Sequence, residues 1–78
     1  MPDGQVQLLR QIEPLLESRD ISALREILGD RRSSDIAEVV ELVDNDDRRM
    51  IFDVLDKPKS ARVLEKVDEA TRAELFDL

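Results

Sequence analysis

The chain has 78 residues, with 19 Asp+Glu against 12 Lys+Arg, no cysteine and no histidine. That length fits one small domain, and the missing side chains exclude disulfides, thiolate zinc sites, iron–sulfur clusters, His-ligated metals and any Ser–His or Cys–His catalytic pair. The net charge of −7 disfavours phosphate backbones and so nucleic acid as a partner.

The longest apolar run is Met50-Ile51-Phe52, far short of the roughly 20 residues a membrane helix needs, so no direct membrane insertion is expected. The start, Met1-Pro2-Asp3-Gly4, lacks the charged and apolar regions of a signal peptide, which sets a cytoplasmic location as the expectation. Those four residues read as a frayed tail to a single domain over 1–78. Two glycines and 41% hydrophobic content favour a packed helical chain over a turn-rich β fold.

From there the apolar residues recur at helical spacing. The first helix carries Leu8, Leu9, Ile12, Leu15 and Leu16, with Pro14 predicting either a kink or a late start. The second carries Ile21, Leu24, Ile27 and Leu28, between an N-cap at Asp20 and a left-handed stop at Gly29. A third begins near Ser33-Ser34 and carries Ile36, Val39, Val40 and Val43; its spacing outweighs the β-branched Val39-Val40 pair. The fourth, capped by Asp44, carries Met50, Ile51, Val54 and Leu55. A fifth starts near Pro58 and carries Ala61, Val63, Leu64 and Val67, and a sixth, capped by Asp68, carries Ala70, Leu75, Phe76 and Leu78. Helices this short are marginal alone, so each must bury its stripe on a neighbour.

A repeat organises them. Shifting residues 37–54 by 24 onto 61–78 gives eight identities in 18 positions, among them Asp44/Asp68, Arg48/Arg72 and Phe52/Phe76; average residue usage gives about one by chance. A weaker copy precedes them, through Ile12/Ile36, Glu17/Glu41, Asp20/Asp44 and Ile27/Ile51. Helix periodicity alone explains the valines but not a cap with a cation four residues on in both copies. The expected fold is therefore all-α, a right-handed superhelix (α-solenoid) of about six short helices in helix-pair repeats. The last helix ends apolar, from which the chain is expected to be the front part of a longer protein or to self-associate.

Leu24-Arg25-Glu26-Ile27-Leu28, Ser34-Asp35-Ile36-Ala37-Glu38, Asp46-Asp47-Arg48, Ala61-Arg62-Val63-Leu64-Glu65 and Arg72-Ala73-Glu74-Leu75 stand in an order that resembles the cytosolic N domain of MgtE-type magnesium transporters, over about residues 8–78. The resemblance implies a superhelical domain ahead of a CBS-domain pair and a membrane-embedded, homodimeric pore. It also implies sensing of intracellular Mg²⁺, which bridges acidic side chains of the N and CBS domains and holds the pore closed. One departure stands out. Where the family has an acidic ligand in the pattern Ala-Ala-Glu-Val-Leu, this chain has Arg62, and a guanidinium cannot ligate a cation. The expected partner-binding residues are then Arg62 and Glu65, with Arg62 pairing directly to an acidic surface. The competing expectation is a free-standing protein-interaction module in the style of the flagellar motor switch protein FliG, whose helical units look similar.

The remaining chemistry is sparse. The densest acidic stretch holds Asp44, Asp46, Asp47, Asp53 and Asp56, and hard oxygen ligands suit Mg²⁺ or Ca²⁺. Asp44, Asp46 and Asp47 are the weak metal candidates, while helix capping and a solvated face explain the same residues. Asp44-Asn45-Asp46 opens like a calcium loop, but Arg48 and Arg49 occupy positions such a loop gives to a ligand and a glycine. Arg31-Arg32 and Arg48-Arg49 read as solvated ion-pair partners. Lys57, Lys59 and Lys66 read as exposed, and Ser18, Ser22, Ser33, Ser34, Ser60 and Thr71 as capping groups, so no enzyme is expected.

Overall fold

A computed structural model describes residues 3–77, and all its regular elements there are helices. They are α1 (Asp3–Ser18), α2 (Ile21–Gly29), α3 (Ser33–Leu42), α4 (Asn45–Val54), α5 (Lys57–Lys66) and α6 (Glu69–Phe76). The 24-residue period is written into their boundaries: α2, α4 and α6 begin at Ile21, Asn45 and Glu69, while α1, α3 and α5 end at Ser18, Leu42 and Lys66.

The caps explain that regularity. Asp20, Asp44 and Asp68 each precede an even-numbered helix and accept from the N–H three residues on, at Ala23 (3.2 Å), Asp47 (2.9 Å) and Thr71 (2.7 Å). Each satisfies one of the N–H groups a helix start leaves unpaired. Asp56 does the same for α5 through Lys59, with Pro58 in the first turn, where its missing N–H is harmless. α3 differs: Arg32 occupies its N-cap position and supplies no side-chain bond.

Several expectations about the helix ends and about Lys59 need correction. α1 begins at Asp3, so Asp3 and Gly4 are helical rather than frayed; Met1 and Pro2 lie outside the described residues. Starting there, α1 carries Pro14 in its interior and not in its first turn. Gly29 is the last helical residue of α2 and has no positive φ; the left-handed residue is Arg19, at φ 58°. Its N–H reaches Leu16 O and the next N–H, of Asp20, reaches Leu15 O, the paired bonds of a Schellman stop. Asp20 thus closes α1 with its backbone and opens α2 with its carboxylate. Lys59, read as exposed, is half-buried, and its ammonium donates to the carbonyls of Gly29 and Arg31.

Each odd helix packs on the next odd helix, α1 on α3 and α3 on α5, while α2 packs on α4. This makes two layers of stacked hairpins, the arrangement of a solenoid. Three hairpins are too few to elongate it: the radius of gyration is 11.3 Å, near the value of about 11 Å for a compact domain this size. Leu8, Ile12, Leu24, Leu28, Ile36, Val39, Val40, Ile51 and Val63 are wholly buried between the layers, each stabilising the fold by about 1.5–3 kcal/mol relative to exposure.

Burial follows position within the stack. Val40 is buried, whereas its repeat equivalent Leu64 is half-exposed. Phe52 is half-buried beside Leu64 and Leu75, and its equivalent Phe76 is 76% exposed. The two phenylalanines hold the same place in their hairpins and differ in what lies against them.

Candidate functional site

The acidic turn at the start of α4 was the first candidate. Asp44 is committed to its cap, and Asp46 and Asp47 stand in the first turn, where the helix dipole favours negative charge. Asp47 is half-buried, and its carboxyl is raised above the ordinary range by burial, then by the charges of Asp44 and Asp46, against a lowering pull from Arg19. Arg19 and Arg49 line the same shallow groove as Asp46 and Asp53. Guanidinium groups therefore already share this surface with the carboxylates. Among the described residues no three acidic side chains converge in a cation's ligand set.

Asp68 shows the opposite shift. The Thr71 hydroxyl and then the Thr71 N–H hold its carboxyl below the ordinary range. The charged form favours the folded helix start above the ordinary carboxylate range, and that contribution is lost as pH falls through the lowered value.

Arg62 and Glu65 both lie exposed on α5, one turn apart. The Glu65 backbone carbonyl accepts from Arg72. The two partner-binding candidates thus share one helix.

Sequence reading missed Arg48. The Arg48-Arg49 pair reads as solvated, yet only 6% of Arg48 is exposed. Its Nε donates to Val40 O at 2.8 Å, and its Nη1 donates to Asn45 Oδ1 at 3.0 Å and Glu74 Oε1 at 2.8 Å. One side chain therefore ties α3, α4 and α6 together. Arg72 repeats the first of these bonds, from Nε to Leu64 O at 3.3 Å. Glu41 adds another bond between hairpins, accepting from the Asp68 N–H at 2.9 Å. The repeat identities Glu41/Glu65 and Arg48/Arg72 were the signal that these residues do structural work between units.

A family model described as the MgtE intracellular N domain matches residues 31–78. The chain belongs to that family. No curated protein and no solved structure matched it. Membership makes this an intracellular domain of the MgtE magnesium-transporter family. None of the described helices is long and apolar enough to cross a membrane. The matched stretch holds the α3–α4 and α5–α6 hairpins, hence Arg48, Arg72, the acidic turn and Arg62 of the MgtE N domain.

Proposed function

We propose that this MgtE N domain is a regulatory docking element whose association with the CBS domains of its transporter, and through them the pore, is strengthened by Mg²⁺. The observation that carries the reading is the family match over 31–78, on a stretch that presents clustered carboxylates at Asp44, Asp46 and Asp47. The Asp47 carboxyl among them is raised first by its burial and then by the charges of Asp44 and Asp46. Brought against a second acidic surface, such a face repels, and divalent cations gathering between the two relieve the repulsion. Linkage then makes docking and cation binding reinforce one another. The cation in this reading is shared between the two domains. Arg62 supplies a second, metal-independent contact by pairing directly with a partner carboxylate.

The test is binding of this chain to the transporter's CBS-domain pair, with and without millimolar Mg²⁺. The expected result is tighter binding in Mg²⁺, with a smaller gain for Asp46→Asn plus Asp47→Asn. Arg62→Glu should weaken docking in chelator and make the residual binding more Mg²⁺-dependent. Binding indifferent to Mg²⁺ would overturn the reading and leave a plain protein-interaction module.

A further inference from the structure

Charge is spread unevenly over the 24-residue period. Residues 17–23, 41–47 and 65–71 form the three hairpin tips, where each odd helix ends and the next even helix begins. Together they hold nine Asp+Glu and two Lys+Arg, a balance of −7, while the rest of the chain holds ten of each. The whole net charge therefore resides at the tips. These lie along one edge of the stack. Arg19 and Ile21 of the first tip share a groove with Asp46 of the second, and the Arg19 charge acts on Asp47. Glu41 of the second accepts from the Asp68 N–H of the third at 2.9 Å.

Helix-end chemistry accounts for part of this charge. Asp20, Asp44 and Asp68 are caps, and Asp46, Asp47 and Glu69 stand in first turns, where the helix dipole favours them. Glu17, Glu41 and Glu65 stand in the last turns of α1, α3 and α5, where the dipole disfavours a negative charge. Glu41 has its bond to the next hairpin, but Glu17 and Glu65 are exposed and form no ion pair among the described residues. Apolar side chains stand on the same edge. Of the three large hydrophobics exposed among the described residues, Leu42 at 56% and Ile21 at 38% are both at tips. The other hairpins carry Ser18 and Lys66 in place of Leu42, and Asn45 and Glu69 in place of Ile21, so the repeat gives these positions to solvent. Leu42 belongs to the middle hairpin, whose α3 has α1 on one side and α5 on the other. Its exposure does not come from a missing neighbour.

We propose that the hairpin-tip edge is a docking surface for a polypeptide segment rich in Lys and Arg and carrying aliphatic side chains. Charge complementarity selects this occupant: an edge that concentrates −7 attracts cations and repels acidic or phosphate-bearing partners. Glu17 and Glu65, which the helices themselves do not need, pair with its cations. Its aliphatic groups settle on Leu42 and Ile21, removing from water the apolar area those two expose. A bare polyamine has the charge but nothing to cover these side chains. The contact brings its own cations and needs no metal, unlike the proposed Mg²⁺ bridge to a second acidic surface, so its failure leaves that reading untouched.

The test is fluorescence anisotropy of a labelled Lys/Leu peptide of about eight residues, long enough when extended to cross three adjacent tips, titrated with the full chain in chelator. The expected result is binding that weakens as salt rises, with none for a Glu/Leu peptide. Glu17→Gln combined with Glu65→Gln should weaken it about fivefold or more. Glu26→Gln combined with Asp77→Asn makes the same change in net charge away from the tips and should alter it less than about twofold. Leu42→Ser should weaken it about threefold to tenfold and leave the weaker binding of a Lys/Ser peptide unchanged. All five side chains are exposed, so circular dichroism should not change. Failure of the Lys/Leu peptide to bind overturns the proposal. So does an equal loss for the two charge pairs, which would make the attraction one of net charge alone. Binding indifferent to Leu42→Ser, or matched by spermine, also overturns it by removing the aliphatic part of the contact.

Discussion

At the scale of single residues, Arg48 decides more than any carboxylate of the acidic turn. Its guanidinium is buried, bonded to a backbone carbonyl and an amide oxygen, and paired with Glu74. Removing a buried charged donor leaves the Val40 carbonyl without that partner in a place water reaches poorly. Arg48→Ala is therefore expected to cost about 2–3 kcal/mol in chemical denaturation. Glu74 is different: its side chain is 59% exposed, and screening by solvent keeps Glu74→Ala below about 1 kcal/mol. Equal losses for the two variants would mean that the ion pair, and not the buried bonds to α3 and α4, holds the hairpins together.

At the scale of elements, the helix ends carry two residues each suited to the other's position. Arg19 adopts the left-handed conformation, which for a residue with a Cβ costs about 1–2 kcal/mol relative to a right-handed one. Gly29 sits in ordinary helical geometry with open space where a Cβ would stand. Gly29→Ala is expected to raise stability by about 0.4–1 kcal/mol, and Arg19→Gly by up to about 1 kcal/mol, read as shifts in denaturation midpoint at constant m-value. A loss on Gly29→Ala would show that the backbone there is under constraints the open space does not reveal. The same pair shows what a sequence can disclose. The caps at Asp20, Asp44 and Asp68 were legible because a carboxylate and an N–H three residues on are a local unit. Glycine permits a left-handed turn but does not compel one, so Gly29 misled while Arg19 carried the bend. Arg48 was illegible for a related reason. A long charged side chain is buried or solvated according to partners such as Glu74, 26 residues away, which local patterning does not address. Only the period of 24 pointed to it. The acidic turn lay in plain view, yet whether its carboxylates converge depends on side-chain directions and on Arg19 and Arg49 alongside.

At the scale of the whole molecule, protection in a stacked array is set by neighbours on both sides. α3 is flanked by α1 and α5 and rests on α4; Ile36, Ala37, Val39 and Val40 are all buried. α6 buries only Thr71 and leaves Phe76 to solvent. Amide hydrogen exchange should therefore be slowest in α3 and fastest in α6, with α4 between them because Arg48 couples it to both. Uniform exchange across the six helices would mean that the chain opens only as a whole.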